Sequence, residues 1–399
     1  QAHFFYQPTG QQGRRFFVSP IRAMLSILRK TRPSLEGDVF VGSMRVRMPI
    51  AEDFGMKDLQ VQVHYPGKKD APLMMDEKFP FMRTEVTDAI GESKGIPTWV
   101  LKSLFKGSTQ LDPCCEPSTS SKWPIVLFSS GIWGSCEMYT QYLRDLASFG
   151  MVVISIEHED GSGIFAVNSE GKTLPYQEPP PDVDTATFRQ PNLQKRSKEI
   201  NAIVHSIKNL CGESSTPLAK VIQQTDADCM ALVGHSLGAA GAWRYLRTEG
   251  GQCPFRFVLL MDLWPAALLE EDFAFTPAVN YAIILSEEWM NSPKFLAGNQ
   301  KLIALSQNGG GKCLAALQSQ GTSHQWISET QMILPFWMLR RSGLMGHGDW
   351  YRIYAATVHG SAHLLAAGLG GRTQEALEEI EKLESEGLKP IGFSERNDL

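Results

Sequence analysis

The chain has 399 residues, of which 43% are hydrophobic and 20% charged, with a net charge of −5. That balance excludes a largely disordered chain and gives no global basis for holding nucleic acid. The length fits one large α/β domain with insertions, and no segment reaches the roughly 18 uninterrupted apolar residues of a membrane-spanning helix.

Residues 1–36 read as a basic N-terminal extension. Up to residue 35 there is no acid, whereas Arg14, Arg15, Arg22, Arg29, Lys30 and Arg32 are interleaved with Phe4, Phe5, Phe16 and Phe17. Three readings stand side by side: a solvated arm packing a few aromatics, the remnant of an organelle transit peptide, and a segment lying on an anionic membrane surface. Ser19 and Pro20, followed by Ile21, Met24, Leu25, Ile27 and Leu28, predict a short amphipathic helix, because serine caps, proline suits the first helical position and the apolar spacing is helical. Residues 39–47 and 58–65 alternate apolar and polar side chains, the pattern of antiparallel strands with one wet face. The Pro-, Ser- and Thr-rich stretch 114–122 predicts a loop.

From Pro124 the pattern changes to short apolar runs, each closed by turn residues and separated by longer helical stretches. The runs 125–129, 151–156, 230–233, 255–261 and 281–285, with a weaker one at 314–318, predict strands buried on both faces, and the helices between them make the sheet parallel. This assigns 37–370 to one α/β domain. Residues 162–194, polar and holding Pro175 and Pro179 to Pro181, predict a long excursion over the active-site face. In the C-terminal segment 371–399, a surface helix is expected over 373–387, with Leu377, Ile380 and Leu383 on one side. Seven cysteines, Cys114, Cys115, Cys136, Cys211, Cys229, Cys253 and Cys313, show no metal-site spacing. Their odd count fits poorly with a complete disulfide framework and favours an intracellular setting, cytoplasmic, organellar or membrane-peripheral, over secretion.

The strongest chemical signal is Gly234-His235-Ser236-Leu237-Gly238, directly after the strand-like Ala231 to Val233 and before a helix beginning at Ala239. A serine between glycines on a strand-to-helix turn is the nucleophile elbow of the α/β-hydrolase fold. Its hydroxyl projects above the sheet, and the Leu237 amide can face a developing oxyanion. A serine hydroxyl needs a base that is itself oriented by an acid, in the chain order Ser, then Asp or Glu, then His. Asp262 closes the run Phe257 to Met261, at the strand end where such sheets gather their active groups. Asp272, Asp349, Glu270 and Glu271 close no buried strand. His324, in Gly321-Thr-Ser-His-Gln325, follows the last strand-like run and is the expected base. His347, His359 and His363 fall in helical or Gly-rich sequence, where a histidine serves packing or the surface.

His158, in Glu157-His-Glu-Asp160, precedes the serine and is expected in the wall of the site. The second oxyanion amide is expected from Phe128-Ser-Ser-Gly-Ile-Trp-Gly134, with Ile132 as donor and Trp133 beside it in the wall. In the resulting mechanism Ser236 attacks an ester carbonyl, His324 takes and returns the proton, Asp262 fixes the imidazole tautomer and water clears the acyl-enzyme. Asn308-Gly-Gly-Gly311-Lys312 is no phosphate loop, since Ser306 stands where a glycine is required and Cys313 where Ser or Thr is. It reads as a turn.

Together these motifs resemble the platelet-activating factor acetylhydrolases of the plasma and type II intracellular kind. Phe128 to Gly134 looks like that family's oxyanion loop, and Tyr142 to Gly150, with Glu157, His158 and Asp160, like its next helix and strand. Gly234 to Gly238, Met261-Asp-Leu-Trp-Pro265, Ile284-Leu-Ser-Glu-Glu288 and Gly321 to Gln325 follow in the family's order, so the similarity runs with gaps over roughly 37–370. The resemblance implies calcium-independent hydrolysis of short or oxidised sn-2 acyl groups of phospholipids, without metal or organic cofactor. It implies Ser236, Asp262 and His324 as triad, and Ile132 and Leu237 as oxyanion donors.

This chain departs from the family at Ser130, where the family has His, at Trp133, where it has Gly, and at Ala239, where its elbow continues with Gly. A tryptophan beside the oxyanion loop narrows a pocket, which bears on the substrate more than on the chemistry. Residues 96–106 sit where the family places a membrane-contacting helix. Trp99, Leu101, Leu104 and Phe105 are its interface candidates, with an ordinary lid or core helix as the alternative. Two further readings stay open: a same-fold esterase acting on a dienelactone, polyester or chlorophyll-type ester, and a catalytically silent homologue binding lipid or a partner protein.

Overall fold

Runs of aliphatic residues without polar alternation dictate the centre of the molecule. The strands are β1 (Val41–Pro49), β2 (Asp58–Pro66), β3 (Trp123–Ser129), β4 (Val152–Ile156), β5 (Phe165–Val167), β6 (Thr173–Pro175), β7 (Thr225–His235), β8 (Phe255–Met261), β9 (Asn280–Ser286), β10 (Cys313–Ser319) and β11 (Leu388–Pro390). Nine of them form one sheet in the order β1-β2-β4-β3-β7-β8-β9-β10-β11, while β5 and β6 make a separate hairpin. Strands β3, β4 and β7 to β10 are parallel, and β1, β2 and β11 add antiparallel edges. The computed structural model describes residues 34–391, apart from 77, 106–109, 213–214, 250–252 and 306–309. The basic extension up to residue 33, with its expected helix, and positions 308 and 309 of the glycine turn lie outside the described residues.

Alternate strand residues feed two cores, one on each face of the sheet. Ile125 and Leu127 join Leu193, Ile203 and Trp243 from the helices Thr185–Leu210 and Leu237–Glu249. Val126 and Phe128 join Tyr142, Leu146, Tyr354 and Leu365 from the helices Thr140–Ser148 and Trp350–Gly370. Burial on both faces is why these strands lack clean alternation in the sequence. After β3 the chain crosses to β4 on one side and returns to β7 on the other, so the carboxyl ends of β3 and β7 lie at a topological switch point, where open α/β sheets hold their ligands.

Three segments differ from the expected elements. In the stretch 162–194, β5 and β6 form a hairpin and the helix Thr185–Leu210 is already under way. The first two turns of that helix carry no apolar stripe, which is why they read as loop. At the C-terminus the helix is Thr373–Lys382, a short 3-10 turn follows, and β11 then pairs with β10. A three-residue edge strand is too short to leave a period. Between β2 and β3, the helices Thr84–Lys94 and Thr98–Phe105 join at Gly95, which takes φ +63° to turn the chain. Arg83, capping the first of them, is ion-paired to the buried Glu137 and Glu157 and anchors it to the sheet.

Candidate active site

Ser236 sits between the end of β7 and the start of the helix Leu237–Glu249 at φ +57°, in the left-handed region. The elbow is held on three sides. Its amide donates to Met261 O at 2.9 Å, and its carbonyl accepts from Ala240 at 3.1 Å and Trp264 at 3.3 Å. A side chain at position 238 could not exist here, since its Cβ would lie 2.0 Å from Ser129 O. Taken as a whole residue, Ser236 is 7% accessible.

Asp262 follows β8, is fully buried and also has positive φ, at +43°. Its carboxylate accepts from Ser286 N at 2.7 Å, from Ser286 Oγ at 2.6 Å and pairs with His324 Nδ1 at 2.8 Å. Burial raises the carboxyl, and the donors around it favour its charged form. With Nδ1 turned to the acid, Nε2 is the nitrogen of His324 left to face a substrate or nucleophile. Burial pushes that imidazole below its ordinary value, so it rests neutral.

The ring of His324 is stacked on both faces. Trp289 lies on one, with centroids 3.8 Å apart and planes at 9°, and His235 on the other, at 4.5 Å and 26°. His235 is the residue immediately before Ser236, so elbow and base loop touch through it. Its Nε2 donates to the backbone carbonyl of His324 at 3.1 Å, which leaves Nδ1 to accept from Tyr139 Oη at 2.9 Å. Burial lowers His235 to about 3, consistent with that single neutral tautomer. Tyr139 in turn accepts the Gly131 amide at 3.3 Å, linking the loop after β3 to His235. His235, Asp262 and His324 bring metal-ligand atoms within 4.8 Å of one another, yet three of the four ring nitrogens are committed to hydrogen bonds. The Asp262–His324 hydrogen bond and the stacking of the two imidazoles account for the cluster.

Ile132 lies after β3, close to the elbow: a Cβ on its neighbour Gly131 would be 3.0 Å from Ser236 Cβ. The flanking amides are occupied, Gly131's by Tyr139 and Trp133's by Ser162 O at 2.9 Å, whereas that of Ile132 has no partner among the described residues. The amide of Leu237, first in its helix, is free in the same sense. His158 is not in the wall. It is buried beneath the loop, with Nε2 on Ser129 Oγ and Nδ1 on Glu199 Oε2, each at 2.7 Å. Arg196 completes this layer by binding Ser130 O, Asp160 and Ser162 Oγ, which ties the ends of β3 and β4 together.

A cavity of about 570 Å³ opens beside these groups, between Ile132, Trp133, Tyr139 and Gln325 on one side and Ile96, Leu101, Met338 and Leu344 on the other. Trp133 is in its wall, as expected. Leu101 is not an interface residue: it is buried and faces the cavity, because the stripe of the Thr98–Phe105 helix turns inward there. Trp99, on the same helix, is exposed. The side chains of Leu104 and Phe105 lie outside the described residues. Sequence reasoning gave no role to Ser286, Trp289, His235 or Tyr139. A serine closing a strand and capping the Glu287–Met290 turn was the available signal for the first.

A mostly parallel sheet with a serine elbow at its switch point defines the chain as an α/β-hydrolase. A solved structure described as a ferulic acid esterase from Streptomyces cinnamoneus has the same fold, with a TM-score of 0.65 and 16% identity, over 91% of this chain and 99% of that one. The chain belongs to the family described as platelet-activating factor acetylhydrolase, isoform II, whose model matches residues 25–384. It is 26% identical over 272 residues to the platelet-activating factor acetylhydrolase of Canis lupus familiaris, covering 62% of this chain and 58% of that protein. With the Bos taurus protein of that name it shares 24% identity over 289 residues, covering 65% and 62% respectively. The chain thus spans about three fifths of the length of these curated relatives.

Ser286→Ala removes one donor from the buried Asp262 carboxylate and the hydroxyl that accepts Trp289 N–H at 3.2 Å. The expected loss is about 1.5–3 kcal/mol of folding stability, the worth of a hydrogen bond to a buried charge, read as a lower urea midpoint at unchanged slope. An unshifted midpoint contradicts this account of Asp262.

Proposed function

We propose that this chain is a serine hydrolase of lipid esters, in which Ser236 is the nucleophile, His324 its base and Asp262 the acid that orients the base. The observation that carries the reading is the 2.8 Å Asp262–His324 pair, stacked through His235 against an elbow whose serine is held at positive φ. Ser236 attacks the ester carbonyl as its proton passes to His324 Nε2. The buried Asp262 carboxylate steadies the imidazolium. The unpaired amides of Ile132 and Leu237 receive the oxyanion, and the proton returns to the leaving alcohol. Water, activated by the same base, then frees the acid from Ser236.

Family membership supports a phospholipid as substrate, cleaved at a short or oxidised sn-2 acyl group, and the largely apolar cavity suits such a chain. Exposed apolar groups gather at the cavity's outer side. Met338 and Leu344 line it, and Trp337, 62% accessible, lies next to Met338. Trp99, 41% accessible, stands on the helix that lends Leu101 to the same cavity, and these exposed groups suit peripheral contact with a lipid interface. No helix among the described residues is long and apolar enough to cross a membrane.

Three measurements test the reading. Intact-mass spectrometry after fluorophosphonate treatment is expected to show one adduct, located on Ser236 and absent from Ser236→Ala; labelling that survives the substitution sinks the nucleophile assignment. The base acts only when unprotonated, and burial lowers its affinity for a proton. The acid limb of kcat/KM should therefore fall below the value of about 6.5 typical of a free imidazole, and a limb at or above it speaks against His324. The double change Trp99→Ser with Trp337→Ser should weaken sedimentation with short-chain phosphatidylcholine vesicles at least fivefold, about 1 kcal/mol or more for two buried indoles. Unchanged sedimentation removes the interfacial part.

A further inference from the structure

The oxyanion loop holds one residue that its backbone does not suit. Trp133 stands at φ +66°, which glycine occupies freely and a bulky side chain only at a cost. Such conformations persist where the surrounding structure over-determines them, and they cluster at functional sites. The indole makes two defined contacts. It packs T-shaped with Tyr176, with centroids 6.3 Å apart, and its face lies under Lys94, whose Nζ is 4.0 Å from the ring centroid.

Lys94 is the last residue of the helix that Arg83 pins to Glu137 and Glu157 at its other end, so its ammonium is delivered to a set place. Among the residues that line the cavity it is the one with a formal charge. Lys102, on the neighbouring helix, is paired with Asp88 at 2.8 Å, whereas Lys94 has no carboxylate partner among the described residues. An indole face attracts a cation and fixes its position but leaves its charge uncompensated. The cavity therefore presents one positive charge in a largely apolar wall, a wall that Ile132, whose amide has no partner among the described residues, also lines.

We propose that Lys94, braced on Trp133, is a specificity-determining residue that selects esters bearing an anionic oxygen group near the scissile bond. This rests on the reading of Ser236 as nucleophile. Such a group can stand on the alcohol side, as the phosphate of a glycerophosphate ester, or on the acyl side, as the terminal carboxylate of an oxidised chain. A quaternary ammonium at the same place meets repulsion, and a neutral ester gains nothing from the charge.

The test compares kcat/KM for three soluble esters in the full chain: p-nitrophenyl butyrate as the neutral reference, dibutyrylglycerol 3-phosphate for the alcohol side, and p-nitrophenyl hemiglutarate for the acyl side. In Lys94→Met the ratio of anionic to neutral turnover should fall about fivefold for one of the two anionic esters, through KM, the upper end of what one exposed ion pair contributes. Whichever ester responds identifies the side on which the charge is read. Lys94→Glu should lower the ratio further, Lys94→Arg should restore it, and Trp133→Gly should lower it with no loss of melting temperature, since the glycine relaxes the loop. Ratios unmoved by Lys94→Met and Lys94→Glu overturn the proposal while fluorophosphonate labelling of Ser236 leaves the parent reading standing. Absence of both labelling and turnover takes down the two together.

Discussion

Asp262 carries a carboxylate to a place no water reaches, and the layout of the site follows from how that charge is satisfied. A buried carboxylate stripped of partners costs on the order of several kcal/mol, so its donors must be in place whenever the chain is folded. They come from other strand ends: Ser286 closes β9 and His324 follows β10. The parallel register makes this meeting possible, since Met261 pairs with Ile284 and Ser286 with Ser319. A slip of one residue would turn Ser286 to the opposite face of the sheet and leave the charge unpaired.

The turn that begins at Ser286 does more than hold the acid. Glu288 accepts the backbone amide of His324 at 2.8 Å, and Glu287 accepts that of Gly321 at 2.9 Å, so one short turn fixes the loop that carries His324. Trp289, from the same turn, covers one face of the imidazole. His235 covers the other and holds the loop's carbonyl, which couples the elbow to the base without any group that changes charge near neutrality. The imidazole of His324 is thereby restricted in tilt and in tautomer, the two freedoms that the proton transfer proposed for it requires it to lose.

What could be read from the sequence divides along a physical line. Ser236, Asp262, His324 and Ile132 each follow a strand-like run and sit beside glycines or turn residues, so local pattern places them at one edge of the sheet. His158 satisfied the same description, yet lies under the loop. Its partner Glu199 is 41 residues away on a helix whose packing no local pattern reports. Leu101 illustrates a second limit: an apolar stripe states that a face is covered, but not whether by cavity, core or lipid. Trp289 and Tyr139 act through stacking and a relayed hydrogen bond, which depend on distant elements converging and leave no mark on spacing. Apart from β7 and β11, the strands of the main sheet were legible to within two residues because a buried strand is a continuous run of aliphatic side chains, whereas β7 begins five residues before its apolar run at 230, and β5, β6 and β11, with three residues each, are too short to form one.

Backbone strain marks the same place by an independent route. Four non-glycine residues among those described have positive φ, and three of them, Trp133, Ser236 and Asp262, follow β3, β7 and β8. These strands are adjacent in the sheet. Each such conformation costs about 1–2 kcal/mol, a sum that only well-packed surroundings can hold. For Ser236 and Asp262 the strain presents a hydroxyl and a carboxylate that no relaxed turn would aim the same way. For Trp133 no hydrogen bond of the side chain among the described residues repays it, and the indole's contacts are a T-shaped tyrosine and an ammonium at the cavity wall. Glycine would remove the cost at that position, so the strain at Trp133 is held by the packing of the indole at the cavity wall, while that at Ser236 and Asp262 is held by the hydrogen bonds of the elbow and of the buried carboxylate.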